Sequence, residues 1–125
     1  SDFQVGLENV EGWTGHLAET DTDFSGNGIA FRRGDILFGK LRPYLAKVWF
    51  SDRAGQAVGD FFVLRPSLIN GEFLHKYILT PTVINELDAS TIGAKMPRVD
   101  WESMAALEVT LPSPSEQTQI AHFLD

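Results

Sequence analysis

Apolar and polar positions alternate with a period of about two through much of the first half of the chain, and recur at helical spacing in the second. Phe3-Gln4-Val5-Gly6-Leu7-Glu8-Asn9-Val10 predicts a short strand, and the Gly-, Asp-, Ser- and Asn-rich residues 20–28 predict a surface loop. Ile29-Ala30-Phe31 and Ile36-Leu37-Phe38 predict strands joined by a turn at Arg32-Arg33-Gly34-Asp35, and the aromatic and β-branched run from Tyr44 to Phe50 predicts another. Between them lies Gly39-Lys40-Leu41-Arg42-Pro43. Proline cannot donate to a ladder and glycine weakens a strand, so this piece is expected to bulge or turn and to display Lys40 and Arg42. Residues 57–64 predict one further strand, ended by Arg65-Pro66.

The period then changes. Phe73, Leu74, Tyr77 and Ile78, followed by Val83, Ile84 and Leu87, predict two short helices broken at Thr80-Pro81. Residues 89–98 hold Gly93 and Pro97 without an apolar period and predict a loop carrying Lys95 and Arg98. Asp100 is placed to cap a helical turn, and residues 107–111 predict a closing strand. Ser113-Pro114-Ser115-Glu116 has the form of a capping box with proline at the first helical position, so a helix is expected from Ser113 to the last residue, Asp125. Strands mixed with segregated helices predict an α+β fold over residues 1–112, a twisted, mainly antiparallel sheet with short helices packed on one side.

A chain of 125 residues with 43% hydrophobic content is long enough to bury one core, and it contains no cysteine with which to build disulfides or thiolate metal sites. No run approaches the roughly 20 apolar residues that span a bilayer, and the start lacks a basic-then-apolar leader. A cytoplasmic location is expected. Because the chain opens on Ser1 and stops within the expected helix, it reads as a piece of a longer protein.

The net charge of −7 opposes binding to a polyanion, yet the charge is unevenly distributed. Residues 31–66 hold seven cations against three acids, net +4, which leaves −11 for the remainder. One basic face on an acidic body would suffice to steer DNA, whereas a merely solvated charge run would do nothing.

Gly34-Asp35-Ile36-Leu37-Phe38-Gly39-Lys40 matches the spacing of a phosphate-binding loop, but Leu41 replaces the required Ser or Thr and Pro43 opposes a helix there. His16, His75 and His122 stand too far apart for a paired ligand set, and no serine lies in a nucleophile-elbow context. No catalytic residue, metal site or cofactor is therefore expected. Trp13, Trp49 and Trp101 are read chiefly as core, with room for one as an interface residue. Lys40, Arg42, Tyr44, Lys47, Lys95 and Arg98 cluster at two Gly- and Pro-bearing breaks. Arginine forks suit guanine edges and phosphates, lysine suits phosphate, and an exposed tyrosine packs on sugar or base. The same residues also suit ordinary solubilising turns.

Residues 34–48, Gly-Asp-Ile-Leu-Phe-Gly-Lys-Leu-Arg-Pro-Tyr-Leu-Ala-Lys-Val, resemble the central segment of target recognition domains in type I restriction-modification specificity subunits. Gly6-Leu7-Glu8-Asn9-Val10-Glu11, residues 60–66, residues 93–101 and residues 111–117 with Ile120-Ala121 resemble further blocks of that family in the same order. The resemblance implies recognition of one half-site of a bipartite double-stranded DNA target. It implies that the helix from Ser113 begins a spacer that docks methyltransferase subunits, and that methylation and cleavage belong to partner modification and restriction subunits. A protein–protein interaction module without direct DNA readout is the principal alternative, and a small carboxylate hydrolase a further one.

Overall fold

Ile36, Leu37 and Phe38 are each fully buried, and their alternation across one strand organises the molecule. In the computed structural model, which describes residues 3–18, 24, 26 and 28–107, six strands and three helices are formed. The strands are β1 (Gln4–Gly6), β2 (Ile29–Phe31), β3 (Ile36–Gly39), β4 (Val48–Phe50), β5 (Gly55–Val58) and β6 (Phe61–Leu64). The helices are α1 (Gly71–Ile78), α2 (Pro81–Ala89) and α3 (Trp101–Ala105).

The strands divide into two three-stranded sheets. β4-β3-β6 is antiparallel throughout, with Leu37 opposite Trp49 on one side and Val63 on the other. β1-β5-β2 pairs β1 with β5 in parallel and β2 with β5 antiparallel. Successive side chains of a strand face opposite ways, so β3 serves two cores. Ile36 and Phe38 join Val48, Ile78, Val83, Ile84, Leu87, Val99 and Met104 on the helical side. Leu37 joins Val5, Phe31, Trp49, Ala57 and Phe61 between the sheets. The expected α+β architecture with helices on one side is observed, its strands shared between two sheets rather than one.

The helices begin where side chains satisfy their first amides. Asn70 Oδ1 accepts from the Phe73 amide at 2.9 Å, Thr80 Oγ1 from the Val83 amide at 3.4 Å, and Asp100 Oδ1 from the Ser103 amide at 2.8 Å. Pro81 fills the first turn of α2, where a missing N–H costs nothing, so the break at Thr80-Pro81 falls as the sequence predicts.

Three predicted strands are shorter than expected. The run from Phe3 to Val10 leaves the ladder after Gly6 and turns as a 3₁₀ segment, Leu7–Asn9, because Asn9 Oδ1 takes the Gly6 amide at 2.8 Å. The run from Tyr44 to Phe50 begins as a second 3₁₀ segment, Pro43–Leu45, and only Val48–Phe50 pairs as a strand. Residues 57–64 are two strands in different sheets, divided at Gly59, whose φ of +104° lies where L-side chains rarely go. The closing strand expected over residues 107–111 lies, beyond Leu107, outside the described residues, as does the helix expected from Ser113.

Candidate nucleic-acid interface

The two Gly- and Pro-bearing breaks meet. At the base of the first, the Gly39 amide donates to Lys47 O at 2.8 Å and the Lys40 amide to Asp60 O at 2.9 Å. The second break is tied across it by bonds from Arg42 N to Pro97 O at 2.7 Å and from Val99 N to Lys40 O at 2.8 Å, framing a bridge between Leu41 and Arg98. All these bonds run between main-chain atoms, so the lacing of the two loops uses none of their side chains. Arg42 (φ +51°) and Ala46 (φ +48°) take left-handed conformations on either side of the Pro43–Leu45 turn. Pro43 and Ala46 are buried, while Arg42, Tyr44 and Leu45 are exposed.

The six residues expected to bind DNA are differently employed. Arg42 and Lys95 are exposed and have no ion-pair partner among the described residues. Tyr44 is half exposed at the tip of the turn. Lys40 extends over the Phe62 ring, 4.9 Å from its centroid, and Trp101 meets the same ring edge-on at 5.4 Å. Arg98 is exposed but paired with Asp60, Nε to Oδ1 at 2.9 Å. Lys47 is turned inward, its Nζ donating to Leu7 O at 2.9 Å, which fastens the first 3₁₀ segment to the start of β4. The structure thus brings Lys40, Arg42, Tyr44, Lys95 and Arg98 to one region and engages the amine of Lys47 within the fold.

Two further cations of the basic segment are also engaged. Arg65 makes a two-pronged contact with the buried Asp35 carboxylate at 2.9 and 2.7 Å, and the Arg32 amide donates to the same carboxylate at 2.8 Å. The Arg65 hydrogen bond, opposed by burial, holds the Asp35 carboxyl below the usual carboxylate range. Arg53 pairs with its neighbour Asp52 at 2.8 Å and covers the Phe3 ring. The +4 of residues 31–66 is therefore spread over structural pairs as well as over the loops.

Trp13, one of three tryptophans that the sequence leaves undistinguished, is exposed next to this region. Residues 11–16 form a tight turn closed by Glu11 N to His16 O at 2.9 Å, and Trp13 N donates to Ala46 O at 2.8 Å. A Cβ on Gly12 would collide with the Leu45 carbonyl, so glycine is what lets the turn lie against the Pro43–Leu45 segment. Trp13 itself has φ +69° and is 45% exposed. A left-handed conformation at a bulky residue costs on the order of 1–3 kcal/mol. The turn borders a cleft of about 460 Å³ lined by Trp13, Thr14, His16, His75, Lys76 and Pro81. Among the described residues no group of three or more His, Asp or Glu side chains is placed to hold a metal ion, and no helix is long and apolar enough to cross a membrane.

Residues 15–125 match the family model described as the type I restriction modification DNA specificity domain. The chain is 26% identical over 117 residues to the type I restriction enzyme EcoDI specificity subunit of Escherichia coli, spanning 90% of this chain and 26% of that relative. Its fold superposes with a TM-score of 0.81 on the HsdS subunit from Thermoanaerobacter tengcongensis, at 24% identity, covering 96% of this chain and 34% of that one. A TM-score of 0.81 is also found with a chain from a structure on complex assembly and conformational transition of the type I R-M system, at 20% identity over 95% of this chain and 34% of that one. The chain thus spans about a quarter to a third of the length of these relatives. With the family model covering nearly all of the sequence and the fold shared along its length, this chain belongs to the type I restriction-modification DNA specificity domain family.

Proposed function

We propose that the chain recognises one half-site of a bipartite double-stranded DNA target, as the non-catalytic reading element of a larger specificity subunit. The observation that carries this reading is the main-chain bonding between the two basic loops, Arg42 N to Pro97 O and Val99 N to Lys40 O, which presents Lys40, Arg42, Tyr44, Lys95 and Arg98 together. Phosphate contacts from Lys40 and Lys95 set the register, while Arg42 and Arg98 reach base edges in the major groove. Arg98 must exchange Asp60 for its DNA partner, which weakens contacts to sites that offer nothing better than a carboxylate. Lys47 acts from beneath, holding the loop rather than touching DNA.

Methylation and cleavage belong, in this reading, to modification and restriction subunits that dock elsewhere on the parent protein, in the cytoplasm, and the chain itself needs no cofactor. Selection of duplexes from a randomised pool by the chain tests the proposal: an enriched motif of a few base pairs is expected, and its absence at low salt would sink the reading. An interaction module remains the second reading. It is favoured by an apolar groove of about 390 Å³ between β6, α1 and α3, lined by Leu64, Leu68, Leu74, Trp101 and Met104. That reading expects no enrichment from the pool.

A further inference from the structure

Four of the eight exposed large apolar side chains among the described residues lie close together, the others being Ile29, Leu68, Ile92 and Trp101. Trp13, Tyr44, Leu45 and Met96 belong to three neighbouring segments, joined in order by the bond from Trp13 N to Ala46 O and the bond from Arg42 N to Pro97 O. Arg42 and Lys95 are interleaved with them. Aromatic and apolar side chains alternating with guanidinium and ammonium groups suit a DNA groove, where phosphates flank apolar deoxyribose and base-edge surface.

Trp13 is the anomaly within this belt. Its indole lines the cleft beside His75 and Pro81 but stacks on no other aromatic ring among the described residues, and nearly half of its surface stays open at the tip of a tight turn. Its backbone sits where glycine or asparagine would be unstrained. The non-glycine residues with positive φ among the described residues are Trp13, Arg42 and Ala46, and all three lie at this one junction. Backbone strain at two exposed side chains, Trp13 and Arg42, set beside the buried Ala46, points to use at this junction.

We propose that Trp13 is a DNA-contacting, specificity-determining residue, packing its exposed indole against deoxyribose and base-edge surface beside the half-site contacts of Arg42 and Tyr44. The proposal rests on the DNA reading given above and extends the interface to a segment remote in sequence from both basic loops. The contact is apolar. It therefore contributes to affinity and base preference without contributing to the counterion release that accompanies phosphate contacts.

The test compares the full chain with Trp13→Gly and Trp13→Asn, both suited to a left-handed backbone, using the duplex enriched from a randomised pool by the wild-type chain. Binding is followed over a series of salt concentrations alongside thermal melting. The expected result is an affinity loss of about fivefold or more in both variants, an unchanged salt slope, a melting temperature no lower than wild type, and relaxed preference at one or more positions on reselection. Arg42→Ala, by contrast, should lower the salt slope or relax a position of its own. If the wild-type chain enriches a motif and both Trp13 variants bind it as tightly, the role assigned to Trp13 is overturned while the DNA reading stands. That role is equally overturned if both variants melt well below wild type, since the indole would then be structural. Unchanged DNA binding with lost association to the methyltransferase subunits would likewise overturn it, placing Trp13 on a protein interface. Failure of the wild-type chain to enrich any motif removes both readings together.

Discussion

Asp35 illustrates how one buried carboxylate can govern a local structure. It accepts from Arg65 and from the Arg32 amide, while Ser51 returns Oγ to Arg32 O at 2.6 Å and its amide to Asp35 O at 2.8 Å, so the β2–β3 turn is fastened to the ends of β4 and β6. Asp35→Ala should lower stability by about 1–3 kcal/mol in chemical denaturation, since the Arg32 amide loses its partner. The pH dependence has a definite sign. A carboxyl held below its unfolded value, near 3.8, stabilises the fold fully at neutral pH, and that contribution fades as pH falls below about 4. Denaturation midpoints of wild type should therefore fall more steeply between pH 5 and pH 2 than those of Asp35→Asn, pH limits set by roughly the ordinary carboxylate range. At the same scale, Trp13 and Lys47 show what the sequence withholds. Neither the left-handed backbone of Trp13 nor the inward path of the Lys47 amine follows from residue type, because each depends on a main-chain carbonyl, of Ala46 and of Leu7, supplied from far along the chain.

The elements themselves were unequally legible. α1, α2 and the turn capped by Asp100 stand where the sequence puts them, because Asn70, Thr80 with Pro81, and Asp100 mark their starts chemically. Thr80→Ala should cost about 1 kcal/mol, read by urea denaturation, since it removes the cap of α2. Strand ends were harder. Arg42 and Ala46 bracket the Pro43–Leu45 turn in conformations more typical of glycine, so β4 starts only at Val48, and no local pattern announces that. Gly59 did carry a signal, yet within an apolar run its neighbours favoured one continuous strand. Gly59→Val should destabilise by about 1–3 kcal/mol, because φ +104° is closed to valine. It should also weaken DNA binding, since the carbonyl of the next residue, Asp60, takes the Lys40 amide at the base of the first basic loop.

Over the whole molecule, composition and surface point in different directions. A net charge of −7 predicts repulsion from DNA at a distance, while a few exposed cations at the loops predict attraction on contact. With Lys40, Arg42, Lys95 and Arg98 as phosphate or base contacts, the logarithm of the binding constant should fall with the logarithm of salt at a slope no steeper than about −4. A markedly steeper slope, measured by fluorescence anisotropy, would mean that a larger basic surface is engaged than these loops provide. The family and its general architecture were legible because several ordered blocks of sequence carry them. The convergence of residues 39–43 with residues 95–98 was a necessary condition for the reading, and the bridge between Leu41 and Arg98 meets it.

That bridge has an evolutionary corollary. The two loops are laced together by amide and carbonyl groups, which every amino acid except proline possesses in full, so the lacing is indifferent to which letters are written along it. On the proposed reading, substituting the outward residues at positions 40, 42, 95 and 98 would redraft the message being read while the page stays bound, and new target preferences would be reached by small edits without refolding the scaffold.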